Sequence, residues 1–429
     1  MNKHPLQAHL LDELHDRPFP LLSPSVSVSH WVMLDPGDPA TELEHIAHLA
    51  RRYSVSPPEQ GGSCYYTSLG EFEFRWERHT EFSSYMVIAS SIGDQPFNEK
   101  ALSVLPADWL SELSGSMIGG EHIELRSCPD NHIDPRSLHP YFEGHSLMGS
   151  RVLDDKASLW TSLRSYSDGF CRILVNTESE DLCECGRLVR SLIELSAYRN
   201  LTLIALPIAR SLIPVVSSLE FRLAQLTQRL TDVGNFKGEK QLLEELSAFA
   251  AELERLVSDN NFRFAATEAY YRLSEDRLLE LSEQPLHHLR SLEEFHQRRF
   301  RPGFSTCQSV RSRMNDLSVR VNRSSSLLRT RVDLILESQN QDSLRSMDRR
   351  AGLQLRMQQT VEGLSIIAMT YYTLGLLAYL LKGIPVESMA ISSGIILAAA
   401  TPVIFGSAWL SIYRIRKRFQ SDEPRSRVN

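Results

Sequence analysis

"QQTVEGLSIIAMTYYTLGLLAYLLKG", residues 358–383, decides how the whole chain is read. From Gly363 to Leu381 it holds nineteen residues without a charge, preceded by one carboxylate, Glu362. A helix of about 20 apolar residues crosses the hydrocarbon core of a bilayer. A second uncharged run of twenty-five residues follows, Met389 to Tyr413. Lys382 to Ser388 joins the two and has room only for a tight turn, with Pro385 where helix is not required. Pro402 lies inside the second run, where a membrane helix tolerates a kink. The expected element is a transmembrane hairpin with spans 361–381 and 389–413. The alternative is a helical hairpin buried in a soluble core, which seldom uses two uncharged runs this long.

The flanks orient the hairpin. Arg345, Arg349, Arg350 and Arg356 precede the first run, and Arg414, Arg416, Lys417 and Arg418 follow the second. The turn between them has only Lys382. Basic residues stay on the cytoplasmic side, so both termini are expected there, in a multi-pass protein of the bacterial inner membrane. The opening "MNKHPLQAHLLDELHDRP" has no apolar core of the signal-peptide kind.

Upstream of the hairpin, Ser305 to Leu381 contains no proline. Val310, Met314, Leu317, Val321, Leu328 and Ile335 recur at heptad-like steps. This spacing predicts one long helix that packs either on the helices of residues 211–300 or on copies of itself as a coiled coil. From Ser305 to Gln358 there are ten Arg, no Lys and five acids, within a chain of net charge −7. The upper arginines are expected to pair with Asp316, Asp333, Glu337, Asp342 and Asp348.

The first 176 of the 429 residues read as mixed α and β. "SVSVSHWVML" (25–34) alternates and is β-branched, as strands are. "CYYTSLG" and "EFEFRWERH" form a hairpin signal around Gly70, and "FSSYMVIAS", "EHIELRS", "ASLWTSLR" and "GFCRILVN" are further strands. A helix from Ala40 to Tyr53 takes Asp38 as its cap and Pro39 in its first turn. A short helix is expected around Ala107 to Ser114. After Glu180 the strands stop. "LTLIALPIA" (201–209) reads as a buried link, and breaks are expected at Asp232–Gly238, Ser258–Asn261 and Arg301–Phe304. The fold class is α+β: a mixed or antiparallel sheet with helices (1–176), a helical domain (177–304), a stalk helix (305–360), the hairpin (361–413) and a basic tail (414–429).

Five stretches carry a family resemblance. "HPLQAHLLDELHDRP", "NFRFAATEAYYRL", "EFHQRRFRPGFSTC", "LLRTRVDLILESQNQ" and "SMDRRAGLQLRMQQTVEGLSIIAMTYYTLGLLAYLLKG" resemble the bacterial membrane-anchored proteins classed as domain of unknown function 3422. That family carries no established activity, so the resemblance implies organisation and no reaction. The order of parts is also similar to that of the CorA-type magnesium channels, pentamers whose first span lines the pore. That likeness implies a homo-oligomer and a divalent cation such as magnesium. The Gly-Met-Asn triplet of those channels is absent; its place reads "YLLKGIP" (379–385).

On a helical wheel Glu362, Ser365, Met369 and Thr373 share one face. Around a symmetric axis they would form rings of carboxylate, hydroxyl and thioether, and a carboxylate ring at a pore mouth attracts cations. The alternative pairs Glu362 with Arg356, or with an arginine of a neighbouring helix, at the membrane boundary. Tyr371, Tyr372 and Tyr379 suit helix packing. Arg349, Arg350, Arg356, Arg414, Arg416, Lys417 and Arg418 are positioned to hold anionic lipid head groups.

Other motifs carry less. "HDRP" (15–18) lacks a nucleophile, His45 and His48 lack a third metal ligand, and "SMIGGEH" (116–122) is too short for a phosphate loop. Cys183 and Cys185 fall on different faces of a helix, and the six cysteines form no disulfide framework. No resident cofactor, nucleic-acid partner or catalytic residue is expected. The function expected is a membrane-anchored homo-oligomer that conducts a cation, with an anchored scaffold or sensor as the alternative.

Overall fold

The computed structural model describes residues 20–90, 95–128, 133–286, 288–382 and 393–421, without the side chains of 393 and 415–421. The "HDRP" stretch and the turn after Lys382 lie outside the described residues. In chain order the elements are β1 (Val26–Leu34), α1 (Pro39–Arg52), β2 (Cys64–Ser68), β3 (Phe72–Arg78), β4 (Phe82–Ser90), α2 (Ala107–Ser111), β5 (Ser116–Ser127), β6 (Met148–Val152), β7 (Ala157–Thr161) and β8 (Cys171–Thr177). Then come α3 (Leu182–Leu203), α4 (Ala205–Asp232), α5 (Phe236–Glu280), β9 (Gln284–Pro285), α6 (Leu292–Phe295), α7 (Arg301–Lys382) and α8 (Ser393–Ser421). The class is α+β, as the sequence predicts.

The described strands form one nine-stranded sheet in the order β2-β3-β4-β1-β5-β8-β7-β6-β9. Only β5 and β8 run parallel; the other neighbours are antiparallel. Strand β1 lies inside the sheet, between β4 and the central β5, and is buried on both faces. One face carries Val28, Ile88, Ile123 and Val175 against Leu188, Val189 and Leu192 of α3. The other carries Trp31, Phe74, Trp76 and Tyr85 against Ile46 and Leu49 of α1 and Trp109 of α2. The serines that alternate with valines in β1 have a use on this second face. Ser27 and Ser29 accept the N–H groups of Ala101 and Leu102 at 3.3 and 2.9 Å, satisfying donors at the start of a tight helical turn.

Helix α1 begins as its cap predicts: Asp38 accepts the Thr41 N–H at 3.0 Å. Its Glu42 is buried yet saturated by Trp76 Nε1 at 2.9 Å, the Tyr85 hydroxyl at 2.5 Å and Arg78. Burial and the Glu42 charge together push the Tyr85 phenol well above its ordinary range.

Several expectations need correction. β6 and β9 were not expected, and β9 shows that strand structure does not end at Glu180. "LTLIALPIA" is helical, the join of α3 and α4. "SDNN" does not break α5, because Leu253, Phe264 and Thr267 on either side of it are buried and packing overrides local preference. "RPGF" does not break the chain either. A π-turn over His296–Phe300 leads straight into α7, with the Arg301 N–H bonded five residues back to His296 O. Proline is tolerated in a helix's first turn, where Pro302 stands. Gly303 allows close approach: a Cβ there would lie 3.0 Å from Leu203.

The chain forms two compact units, Met1–Val233 with Gln241–Ser326, and Gly234–Lys240 with Leu327–Asn429. In the first unit the expected seam faces inward: Val310, Met314, Leu317 and Val321 are all buried. Arg313 pairs with Glu220 of α4 at 2.7 Å and Arg311 with Glu268 of α5 at 2.6 Å. The seam therefore packs on helices of its own chain. These arginines pair across to α4 and α5, not along α7 as expected; Arg345 with Asp342, at 3.4 Å, is an along-helix pair. In the second unit Leu328 and Val332 are buried, Ile335 is half-buried, and residues 336–361 are exposed throughout.

Candidate functional site

Among the described residues, three helical stretches are long and apolar enough to cross a membrane: Leu182–Asp232, Leu292–Lys382 and Gly394–Arg414. The first is partly packed within the fold: Leu201, Ala205, Ala209, Leu212 and Val216 are buried, while Ile213 and Val215 are exposed. Helix α3 lays its apolar face on the sheet, and its Arg190 and Glu194 are ion-paired. The other two present their apolar surface outward. Leu364, Leu376 and Tyr379 are 69, 66 and 77 % exposed, and Ile395 and Val403 are similar. A soluble monomer rarely leaves so large a contiguous apolar surface uncovered. The hydroxyls among these residues are satisfied inside the helix. Thr360, Ser365, Thr370, Thr373 and Thr401 each donate to the carbonyl four residues back, at 2.7–2.9 Å. That is how a hydroxyl meets its need where water is excluded.

The face predicted from the sequence is present in α7. Glu362 is half-exposed, and Ser365, Met369 and Thr373 are exposed beside it. The expected pairing of Glu362 with Arg356 is not. Glu362 accepts a hydrogen bond from Gln358 Nε2 at 3.3 Å. Four residues bring Gln358 onto the same face, whereas six turn Arg356 away. Tyr371 and Tyr372 touch edge to face at 5.8 Å and are exposed. Arg349, Arg350, Arg356 and Arg414 are exposed and have no ion partner among the described residues. Arg416, Lys417 and Arg418 lie in α8, with side chains outside the description.

A second polar constellation escaped the sequence reading. His30 on β1 faces Glu121 on β5, Nδ1 to Oε2 at 3.0 Å. Its Nε2 meets Ser84 Oγ on β4 at 2.9 Å. In a neutral imidazole, Glu121 favours the tautomer with the proton on Nδ1, and Nε2 then accepts the Ser84 hydroxyl. Behind Glu121, Ser196 of α3 donates to Oε1, and Arg199 donates to Ser196 Oγ at 2.9 Å. Ser84 and His30 border a cavity of about 100 Å³ walled by Phe82, Met86, Ile193 and Ala197.

The Ser84–His30–Glu121 order matches that of acyl-transfer triads. Ser84, however, lies mid-strand, opposite Val32 on one side and Glu77 on the other. Its main chain is committed to two ladders, so no backbone donors there stand ready for an oxyanion. The arrangement can hold a proton and polarise a hydroxyl inside the sheet.

On the opposite face, Ser29 Oγ meets His122 Nδ1 at 2.8 Å, and His122 Nε2 lies 3.3 Å from Asp168, which Lys100 also pairs. Burial drives the His122 pKa down to about 4, against the pull of Asp168. The sequence signal for both histidines was "SMIGGEH", which supplies Glu121 and His122. Its meaning depends on the pairing of β1 with β5, and that register is not visible in one stretch. His45 is used structurally: it stacks on Trp109 at 4.7 Å, with Nε2 3.1 Å from Trp109 O. Among the described residues no group of three or more His, Cys, Asp or Glu is arranged to hold a metal. None of the six cysteines, all within the described residues, is in a disulfide; Cys183 is exposed and Cys185 buried.

Fold and sites together define an α+β protein whose C-terminal helices have the length and composition of membrane spans. The family described as "Protein of unknown function (DUF3422)" matches residues 2–419, and the chain belongs to it. No curated protein and no solved structure matches the chain, so the likeness to CorA-type channels gains no support from either comparison.

Proposed function

We propose that the chain is a membrane-anchored protein of the bacterial inner membrane, held by residues 361–381 and 394–413, with its sheet-bearing unit in the cytoplasm. One observation carries this reading: the uncharged stretches of α7 and α8 expose apolar side chains to no protein partner, while their hydroxyls are satisfied internally. The basic flanks favour both termini inside, and Arg349, Arg350, Arg356 and Arg414 are placed for anionic head groups. Self-association fits the cytoplasmic part of α7. Leu344, Met347 and Leu355 are 62, 65 and 59 % exposed, at helical spacing, on a helix that no described residue covers there. In this reading the hairpin localises the protein and the folded unit does its work at the membrane surface, as a scaffold or sensor.

The test is alkaline carbonate extraction of membranes. The full chain should stay in the pellet, and a chain ending at Leu355 should move to the soluble fraction. Full-length protein recovered in the soluble fraction would overturn the anchor. A second reading, cation conduction, rests on the face shared by Glu362, Ser365, Met369 and Thr373. There the hydroxyls donate inward and the oxygens remain as acceptors.

A further inference from the structure

A cavity of about 360 Å³ opens in the first unit where β5, the end of α3 and residues 295–300 meet. Two guanidinium groups, Arg199 and Arg299, line it. Several arginines of this unit are matched by carboxylates: Arg190 and Arg277 by Glu194, Arg222 by Glu252, Arg313 by Glu220. Arg199 instead donates to a neutral hydroxyl, Ser196 Oγ at 2.9 Å. Neither Arg199 nor Arg299 has an ion partner among the described residues, and the described lining includes no carboxylate. Cys171 adds no negative charge, because burial, then the nearby Glu121, push its thiol pKa up to about 11.

The remaining walls suit an organic molecule. Phe295 and Phe300 supply aromatic surface, and Asn200 supplies an amide. Gly119 makes room for that amide, since a Cβ there would lie 2.1 Å from Asn200 Nδ2. Arg299 and Phe300 belong to the π-turn His296–Phe300, a rare widening of a helix that often marks functional sites. Arg199 is half-buried, where a guanidinium without a counter-charge is costly, and Arg299 stands exposed beside it; their planar forks match phosphate and carboxylate oxygens.

We infer that this cavity binds a small organic anion, a phosphate or carboxylate bearing an aromatic or apolar group, with its charge between Arg199 and Arg299 and its apolar part against Phe295 and Phe300. This site is independent of the membrane anchor. Isothermal titration of the full chain in detergent with phenyl phosphate, benzoate and neutral benzyl alcohol tests it. One or both anions should bind, and the tighter one assigns the head group; benzyl alcohol should not bind measurably. Raising the salt should weaken binding.

Arg299 is exposed, so Arg299→Gln should fold and bind about tenfold more weakly or worse, as expected for a lost charge-assisted hydrogen bond. Arg299→Lys keeps the charge without the fork and should fall between. Arg298→Gln, at a neighbouring residue paired with Glu294, should bind as the natural chain does. Three outcomes would each overturn the assignment: no heat with either anion at millimolar concentration, equal binding of benzyl alcohol, or unchanged affinity in Arg299→Gln.

Discussion

His30 and Glu121 stand opposite each other on neighbouring strands, Nδ1 and Oε2 3.0 Å apart, with side chains only 2 and 3 % exposed. A buried pair of this kind is costly to break from one side, because the partner keeps its desolvation cost without compensation. Glu121→Ala also strands the Ser196 hydroxyl. It should lower stability by roughly 3–5 kcal/mol, and Glu121→Gln, which keeps an acceptor, by clearly less. Urea unfolding followed by Trp fluorescence measures both. Equal small losses would show that the pair contributes little.

His122, on the other face, makes stability depend on pH. Its pKa is about 4 in the fold against 6.5 in an open chain. Between those values the unfolded chain binds more protons, so stability is full above about pH 6.5 and falls as pH drops towards 4. The loss is on the order of 3 kcal/mol. His122→Asn should reduce the pH dependence across that window, leaving the contributions of His45 and His296, whose pKa burial also lowers. Asp168, where burial raises the pKa but Lys100, the Phe170 N–H and His122 together bring it below the ordinary 3.8, takes over only below that value. A variant with the same slope as the natural chain between pH 6.5 and 4 would refute the assignment.

What the sequence revealed follows from which interactions are local. The alternation in 25–34 and the continuous apolar run Tyr85–Ala89 in 82–90 are local signals, and those strands are where they placed them. β6, "MGSRV", has no such alternation, and β9 is two residues at the sheet edge that include Pro285. "SDNN" has the composition of a turn but lies between residues buried by tertiary packing. The Glu362 face is helical spacing and was legible. The His30–Glu121–Ser84 string joins residues up to 91 positions apart and exists only through strand register.

Gly115 should be the least replaceable glycine near the sheet. It has φ +93°, and an added Cβ would lie 2.3 Å from the Leu34 carbonyl oxygen, which is backbone and does not yield. Gly70 has φ +91° with nothing within 4 Å. Gly70→Ala should therefore cost only the left-handed conformation, about 1–2 kcal/mol, and Gly115→Ala should cost about 1–3 kcal/mol more. Thermal unfolding of the two variants side by side checks the order; equal midpoints would contradict it.

Leu376→Lys separates a lipid-facing helix from one merely exposed to water. Leu376 is 66 % exposed in the second half of the first apolar run. In water, adding a charge at such a site changes stability by less than about 0.5 kcal/mol and improves solubility. In a bilayer it costs about 2.5–3.5 kcal/mol of insertion free energy. The substituted chain should show reduced carbonate-resistant membrane association. Unchanged membrane retention would indicate that this face is covered by protein.

Glu362 decides between anchoring and conduction. If several copies place it around an axis, the carboxylates raise the local cation concentration at the inner mouth. Glu362→Gln keeps the side-chain shape and removes that charge, so cation flux into reconstituted vesicles should fall while assembly persists. Glu362→Lys should nearly abolish the flux. If the helix only anchors, the carboxylate's hydrogen bond from Gln358, at 3.3 Å on a half-exposed surface, is weak. Glu362→Gln should then change thermal stability by no more than about 0.5 kcal/mol. The anchor reading expects natural-sequence vesicles to pass no cation under any gradient. Flux that falls with Glu362→Gln and vanishes with Glu362→Lys would move the assignment to a channel, because a localising hairpin gives that charge nothing to conduct.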